Sequence, residues 1–346
     1  MNLRRSVYFD LGWISRHRMF LYGAATLWIV VSHCLTRIGG DFMLGIPAWI
    51  QKHGMCGVEM FLLLSGFGLY HSMSSKPDIK RFYGRRLSRV YMPAFIVAAV
   101  YCAVNYMSLQ DTLSAVSMVA YFFNTRSFWY VAFILVMYAV YPAIYALQRR
   151  SAKTAWLVCA AVSAAVMGSV MITDCATYLQ RAVTRVPVFL AGCLIAPWII
   201  EGRKIPVWSV VAVVGAFVVM EAGRLAVLPE SYVLRDAAFI MLAGAALMLL
   251  AYAAEAVSRF GRGRGMYRCM AFMGSISLET YLIFERAQDM MLKIRGYEAP
   301  ASLDLVKIDL MAFVMTVILG YLLTVFCGML RRDFRAIKIP ENDTNR

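Results

Sequence analysis

Three groups of polar residues stand inside or against long apolar stretches of this chain, and their types suit chemistry. His33 closes the apolar run Ala-Thr-Leu-Trp-Ile-Val-Val-Ser-His, and Glu59 opens the next, Gly-Val-Glu-Met-Phe-Leu-Leu-Leu-Ser-Gly. If the two runs are antiparallel helices, a rise of about 1.5 Å per residue puts His33 roughly 6 Å and Glu59 roughly 9 Å beyond their midpoints, toward one membrane face. A histidine beside a carboxylate is what a general base needs, because the acid fixes the imidazole tautomer and stabilises the imidazolium. A hydrogen bond that only ties two helices together fits the same spacing. The second group is Arg85, Arg86 and Arg89, at helical spacings that turn their guanidinium groups to one side. Such forks match phosphate in charge and geometry, as a nucleotide-like cofactor requires; contact with anionic lipid headgroups is the alternative. The third is Glu279, Glu285, Arg286 and Asp289 within one predominantly apolar run, a charge density rarely carried without use. Arg286 can pair with Asp289 three residues on, or the set can wall a substrate cavity. Phe128, Trp129 and Tyr130 form an aromatic cluster suited to a membrane interface or to the face of a sugar.

The elements that must position these residues are membrane helices. With 61% hydrophobic residues, 16% charged and a mean hydropathy of +0.64, a chain of 346 residues is too apolar for a soluble domain. At the roughly 20 residues that a bilayer demands, the sequence predicts spans near Phe20–Arg37, Cys56–Met73, Tyr91–Met107, Ser127–Leu147, Thr154–Ile172, Val186–Ile200, Pro206–Val227, Ala237–Val257, Phe272–Leu292 and Val306–Leu330. The piece Thr112–Phe123 is too short to cross. The expected fold class is an all-α polytopic bundle of about ten transmembrane helices, in one domain over 1–340 with a short polar tail at 341–346. Placing the N-terminus inside gives the inner segments more than twice the Lys and Arg of the outer ones, so both termini are expected in the cytoplasm, in a multi-pass protein of the cell membrane. The net charge of +15 comes from short clusters between apolar runs, which is the pattern of cytoplasmic loops and not of a nucleic-acid binder. Arg4, Arg5, Arg16 and Arg18 precede the first run with no clean cleavage site after it, so no signal peptide is expected. The eight cysteines form no C-x-x-C pair, so neither a metal nor a redox centre is expected; Cys34 and Cys56 flank the first outer loop and are within reach of each other by sequence. His53 and His71 have no evident partner.

Several motifs over nearly the whole chain stand in a familiar order. They are the run ending in His33, the segment from Phe61 to Ser65-Gly66, the pair Arg86-x-x-Arg89, Trp129 with Tyr138–Pro142, and Gly-Ser-Ile-Ser-Leu-Glu-Thr-Tyr-Leu from Gly274. Together they resemble the acyltransferase-3 family of integral-membrane acyltransferases. The resemblance implies a ten-helix bundle that moves an acetyl or other acyl group from cytoplasmic acyl-coenzyme A to a hydroxyl of an extracytoplasmic acceptor, such as a cell-surface glycan or a lipid-linked sugar. It implies His33 as the base, Glu59 as its orienting partner and the Arg85, Arg86 and Arg89 cluster as the coenzyme A grip. Ser65, Trp129, Tyr130, Glu279, Glu285 and Arg286 are the expected cavity residues. Two positions depart from the family: Tyr22 stands where many members carry arginine, with Arg18 the nearest upstream, and Phe284 where many carry histidine. The rival reading is a proton-coupled transporter of a small solute built around the same buried charges. A non-catalytic partner in a glycan-assembly complex is a third, and a homo-oligomer is compatible with all of them.

Overall fold

The apolar runs become helices, and basic or small polar residues mark most of their ends. A computed structural model describes residues 8–38, 45–75, 78–118, 128–172, 178–227, 231–259, 263–295 and 302–336. Arg4, Arg5, Cys175 and the tail 341–346 lie outside these residues. In chain order the first half comprises β1 (Tyr8–Asp10), α1 (Gly12–Arg16), α2 (Arg18–Ile38), α3 (Ile46–Lys52), α4 (Met55–Ser75), α5 (Ile79–Arg86), α6 (Met92–Val104), α7 (Leu109–Val116) and α8 (Trp129–Arg150). The second half comprises α9 (Ala152–Ile172), α10 (Tyr178–Val183), α11 (Val186–Ile200), β2 (Lys204–Pro206), α12 (Val207–Val227), α13 (Tyr232–Arg259), α14 (Arg264–Ser275), α15 (Ser277–Arg295) and α16 (Ser302–Ala336).

Among the described residues, seven helical stretches are long and apolar enough to cross a membrane: Arg18–Arg37, Ile79–Val104, Trp129–Arg150, Ala152–Ile172, Val207–Val227, Val233–Arg259 and Asp304–Arg331. The other three predicted spans fall on α4, α11 and α15, and each falls short for a visible reason. Helix α4 carries Glu59 and His71, α11 has only 15 residues, and α15 holds Glu279, Glu285, Arg286 and Asp289. Two predicted boundaries are corrected. The third span does not begin at Tyr91: α5 runs through a π-helical turn at Leu87–Tyr91 into α6, so the arginine cluster and the apolar helix are one rod. The ninth breaks at Ile276, between α14 and α15. Asp78 starts the rod by accepting a hydrogen bond from the Arg81 amide at 3.0 Å, one of the orphan donors of a helix N-terminus.

Glycines set the closest helix crossings. A methyl group at Gly23 on α2 would collide with the Met270 carbonyl of α14, and one at Gly274 with the Met19 carbonyl of α2. Gly66 on α4 and Gly192 on α11 meet in the same way, each facing the other helix's backbone. Between helices in lipid such small-residue contacts replace the hydrophobic drive that water supplies elsewhere, by letting backbones approach. The central group is α2, α4, α11, α13 and α14, while α9 and α12 bury little and face outward. The strands pair antiparallel, Phe9 opposite Ile205, and tie the N-terminal segment to the α11–α12 connection. Cys34 and Cys56, like the other described cysteines, are free thiols.

Candidate active site

A cavity of about 700 Å³ runs between α2, α4, the α5–α6 rod, α8 and α15, inside the range of about 300–1,000 Å³ common for ligand pockets. At one end Arg18, Arg81, Arg85, Arg86, Arg89 and Arg331 line it, and Glu279 is the one acidic side chain among the described lining residues. Arg86 is held by its neighbours: its Nη2 donates to the Gly68 carbonyl at 3.5 Å, and its guanidinium lies 5.6 Å from the Phe82 ring centre and 5.9 Å from that of Tyr138. Arg85 donates from Nε to the Arg81 carbonyl. Arg85 Nη2 and Arg86 Nε are nevertheless buried with no hydrogen-bond partner. A buried cationic donor left unpaired is costly, and here two such donors belong to guanidinium groups that line one cavity. An anionic ligand with several acceptor oxygens supplies what they lack. The π-helical turn that carries Arg89 is a distortion often found where function requires a side chain to be re-aimed.

The other end of the cavity is aromatic. Ser65 Oγ meets the Tyr130 hydroxyl at 3.4 Å, and the Tyr281 hydroxyl accepts from the Tyr130 amide at 3.3 Å. Trp129, Ile29, Val58 and Tyr281 are the lining residues farthest from the arginines on their respective helices. His33 lies four residues beyond Ile29 on α2, and Glu285 four beyond Tyr281 on α15, one helical turn or about 6 Å further along each. These two side chains meet, His33 Nδ1 to Glu285 Oε1 at 3.5 Å, each about half exposed. The cavity therefore ends one turn short of a histidine–carboxylate pair.

The expected pairing of His33 with Glu59 is not formed, and the reason is rotational. Gly57 is the residue of α4 that packs against Ala25 and Ile29 of α2. Two residues on, at 3.6 residues per turn, Glu59 is turned about 200° around the helix axis. It faces α11 and α13, where its Oε1 lies 3.4 Å from Arg185 Nε without hydrogen-bond geometry. Asp236, which accepts from Thr184 Oγ1 at 2.6 Å, stands 3.7 Å from Arg185 Nη1. Glu59, Arg185 and Asp236 are all buried, and the Arg185 guanidinium lies 5.3 Å from the Trp129 ring centre, behind the end of the cavity. Arg185 belongs to none of the polar groups that the sequence pattern singles out; its sequence signal is that it directly precedes the apolar start of α11.

The other expected site residues divide. Ser65, Trp129, Tyr130, Glu279 and the three arginines line the cavity together. Glu285 joins His33 instead. Arg286 does not pair with Asp289: its guanidinium carbon lies 3.8 Å from the Phe128 ring centre and it donates to the Leu282 carbonyl, facing a second cavity. Of the two positions that depart from the resembled family, Tyr22 lines the cavity beside Arg18. Phe284 is buried in a cluster with Val30 and Ala312, tying α15 to α2 and α16. His71 lines the arginine end, and His53 is stacked on Trp49 at 4.5 Å between ring centres and bonded through Nδ1 to its carbonyl. No group of three or more His, Cys, Asp or Glu among the described residues is arranged to hold a metal.

A family model described as an acyltransferase domain covers residues 21–330, nearly the whole chain. No curated protein and no solved structure matches.

Proposed function

Because the chain belongs to the acyltransferase-3 family of membrane acyltransferases, we propose that it carries an acyl group, acetyl in the simplest case, from cytoplasmic acyl-coenzyme A to a hydroxyl of an acceptor on the opposite face. The acceptor class is a cell-surface glycan or lipid-linked sugar. The observation that carries this reading is the cavity that begins among arginines and ends one helical turn from His33 and Glu285. Arg85, Arg86 and Arg89, with Arg18, Arg81 and Arg331 around them, hold the phosphates of coenzyme A at the mouth. The narrow pantetheine arm lies along Tyr22, Ser65 and Tyr138, and the thioester reaches the end lined by Trp129 and Tyr281. His33 accepts the proton of the acceptor hydroxyl while Glu285 stabilises the imidazolium. The hydroxyl oxygen forms a C–O bond to the acyl carbon, the C–S bond breaks, and His33 returns the proton to the departing sulfur, so coenzyme A leaves as a neutral thiol.

In this reading α4, α11 and α15 cross the bilayer along with the seven apolar stretches. The resulting even number of crossings leaves both termini on one side, the cytoplasmic side by the excess of Lys and Arg in the inner segments, and residues 1–340 act as one domain in the cell membrane. The arginine mouth then faces cytoplasmic coenzyme A and His33 faces the outside.

The test is to reconstitute the protein in nanodiscs with acetyl-coenzyme A labelled in the acetyl group and a cell-envelope extract, for wild type and His33→Ala. Label passing to the extract with wild type and not with the variant, while both bind coenzyme A, is the expected result. Absence of transfer together with absence of coenzyme A binding would sink the proposal, and proton-coupled solute uptake by the same protein reconstituted in sealed proteoliposomes would put a transporter in its place.

A further inference from the structure

A second cavity, of about 480 Å³, opens between α6, α15 and α16. Its lining runs from Ile96 to Asn105 along α6 and from Met315 to Leu323 along α16, which at about 1.5 Å per residue makes a groove about 12–13 Å long. That is close to half of the roughly 30 Å hydrocarbon core of a bilayer, the depth of one leaflet. Its long walls are hydrocarbon, and Val100, Ile294 and Leu319 among them are 57%, 66% and 41% exposed, so the groove is open along its side to lipid. The charged side chains among its described lining residues are Arg286, Asp289 and Lys293, toward the end where α6 finishes. The Arg286 guanidinium lies 5.6 Å from the Tyr101 ring centre, with Nη1 donating to the Leu282 carbonyl and Nε buried without a hydrogen-bond partner. Lys293 Nζ donates to Asn105 Oδ1 at 2.8 Å, and an ammonium group has two further hydrogens to give. Tyr101 and Asn105 are one helical turn, about 6 Å, apart at the end of α6, so the two cationic heads flank a gap of the size of a phosphate group.

We propose that this groove is a binding site for one anionic glycerophospholipid, with its phosphate held between Arg286 and Lys293 and its acyl chains laid between α6 and α16. The lipid is not a reactant, and the site is separate from the arginine cavity: no described residue lines both. Two features choose the occupant. The charge order is that of a phospholipid, cations at one end of a hydrocarbon groove one leaflet deep, and free phosphate would leave the apolar walls uncovered. Two cations face one carboxylate in the lining, and Asp289 is exposed to water, so one positive charge remains over. A zwitterionic headgroup brings its own ammonium and leaves that charge unmatched; an anionic one answers it with charge-assisted hydrogen bonds. Arg286 directly follows Glu285, the partner of His33, so a lipid seated here braces the turn of α15 that presents Glu285.

The test uses the full chain in detergent and two probes, phosphatidylglycerol and phosphatidylethanolamine with the same chains and a diazirine in one of them. Irradiation followed by mass spectrometry is expected to place phosphatidylglycerol on peptides of α6, α15 and α16, about tenfold above phosphatidylethanolamine, the ratio that one additional charge-assisted hydrogen bond sustains. Arg286→Gln and Lys293→Gln are each expected to abolish that preference, and Leu319→Trp, which fills the groove, to lower labelling by both lipids. Lys293 is exposed, so its substitution spares the fold, and the elution profile and thermal unfolding transition verify folding for every variant. Glycerol phosphate, the headgroup without chains, is expected not to displace the probe at equal concentration; displacement would show a phosphate site that holds no lipid and overturn the proposal. Equal labelling by the two lipids, or a preference undiminished in both glutamine variants, would overturn the anionic headgroup. Labelling spread over α9 and α12 and unaffected by Leu319→Trp would overturn the groove itself. Acyl transfer is measured separately and stands or falls without regard to any of these results.

Discussion

Two carboxylates near the same end of the helix bundle each face a basic residue, and the two pairs differ in almost every physical respect. Glu59 and Arg185 are buried among α4, α11 and α13, with 1% and 3% of their side chains exposed, and Asp236 completes the set. His33 and Glu285 are 44% and 55% exposed, on α2 and α15, and neither makes a further ion pair among the described residues. A buried guanidinium between two acids cannot exchange partners without stranding a charge in a medium that does not solvate it. A half-exposed histidine, by contrast, stands open to an arriving hydroxyl. The first arrangement fixes three helices; the second is available for chemistry.

The largest expected effect that bears on this contrast is His33→Ala, which is expected to lower acyl transfer about 10²- to 10⁴-fold, the contribution of a positioned general base, while thermal unfolding in detergent stays where it was. Next comes Arg185→Ala, which strands Glu59 and Asp236. It is expected to cost about 3–5 kcal/mol of stability, read as a loss of folded yield and an earlier unfolding transition. Glu285→Gln is smaller, because a half-exposed ion pair contributes at most about 1 kcal/mol, or up to about fivefold in kcat. If Glu59→Gln lowers kcat in a still-folded protein more than Glu285→Gln does, the contrast breaks and Glu59 returns as the partner of the base. The smallest effect sharpens it: raising ionic strength from about 0.01 to 1 M shortens the screening length from about 30 to 3 Å. The rate ratio between wild type and Glu285→Gln is then expected to fall toward one, with the Arg185→Ala stability loss hardly altered.

How much of this was legible in the sequence depends on which coordinate of a helix a residue pattern reports. Spacing reports depth, and the depths of His33, Glu59 and the arginine cluster were readable from run lengths alone. It does not report which way a side chain turns relative to a particular neighbour. Run lengths pair Glu59 with His33 because both stand near one end of antiparallel runs; Gly57, which packs on Ala25 and Ile29 of α2, is what turns Glu59 elsewhere. Glu285 appeared as one charge among four on α15, and Phe284, buried against Val30, is what turns its neighbour toward His33. The long apolar helices were readable because composition suffices for them. Helices α4, α11 and α15 were read as spans too, yet length and composition leave them unconfirmed, since the charges and prolines that serve the interior also weaken the apolar signal.

The end of the main cavity one turn short of His33 has an electrical consequence. Every species that crosses the low-dielectric layer in the proposed cycle is neutral over that step: the acyl group passes from sulfur to oxygen, and the proton taken from the acceptor withdraws bonded to sulfur as a thiol. A process that carried one free charge across would gain or lose about 2.3 kcal/mol for each 100 mV of membrane potential. The charged phosphates, by contrast, stay at the arginine mouth throughout. Turnover of this protein is therefore expected to be indifferent to the voltage across the bilayer in which it works, and the membrane remains an insulator while acyl groups pass through it.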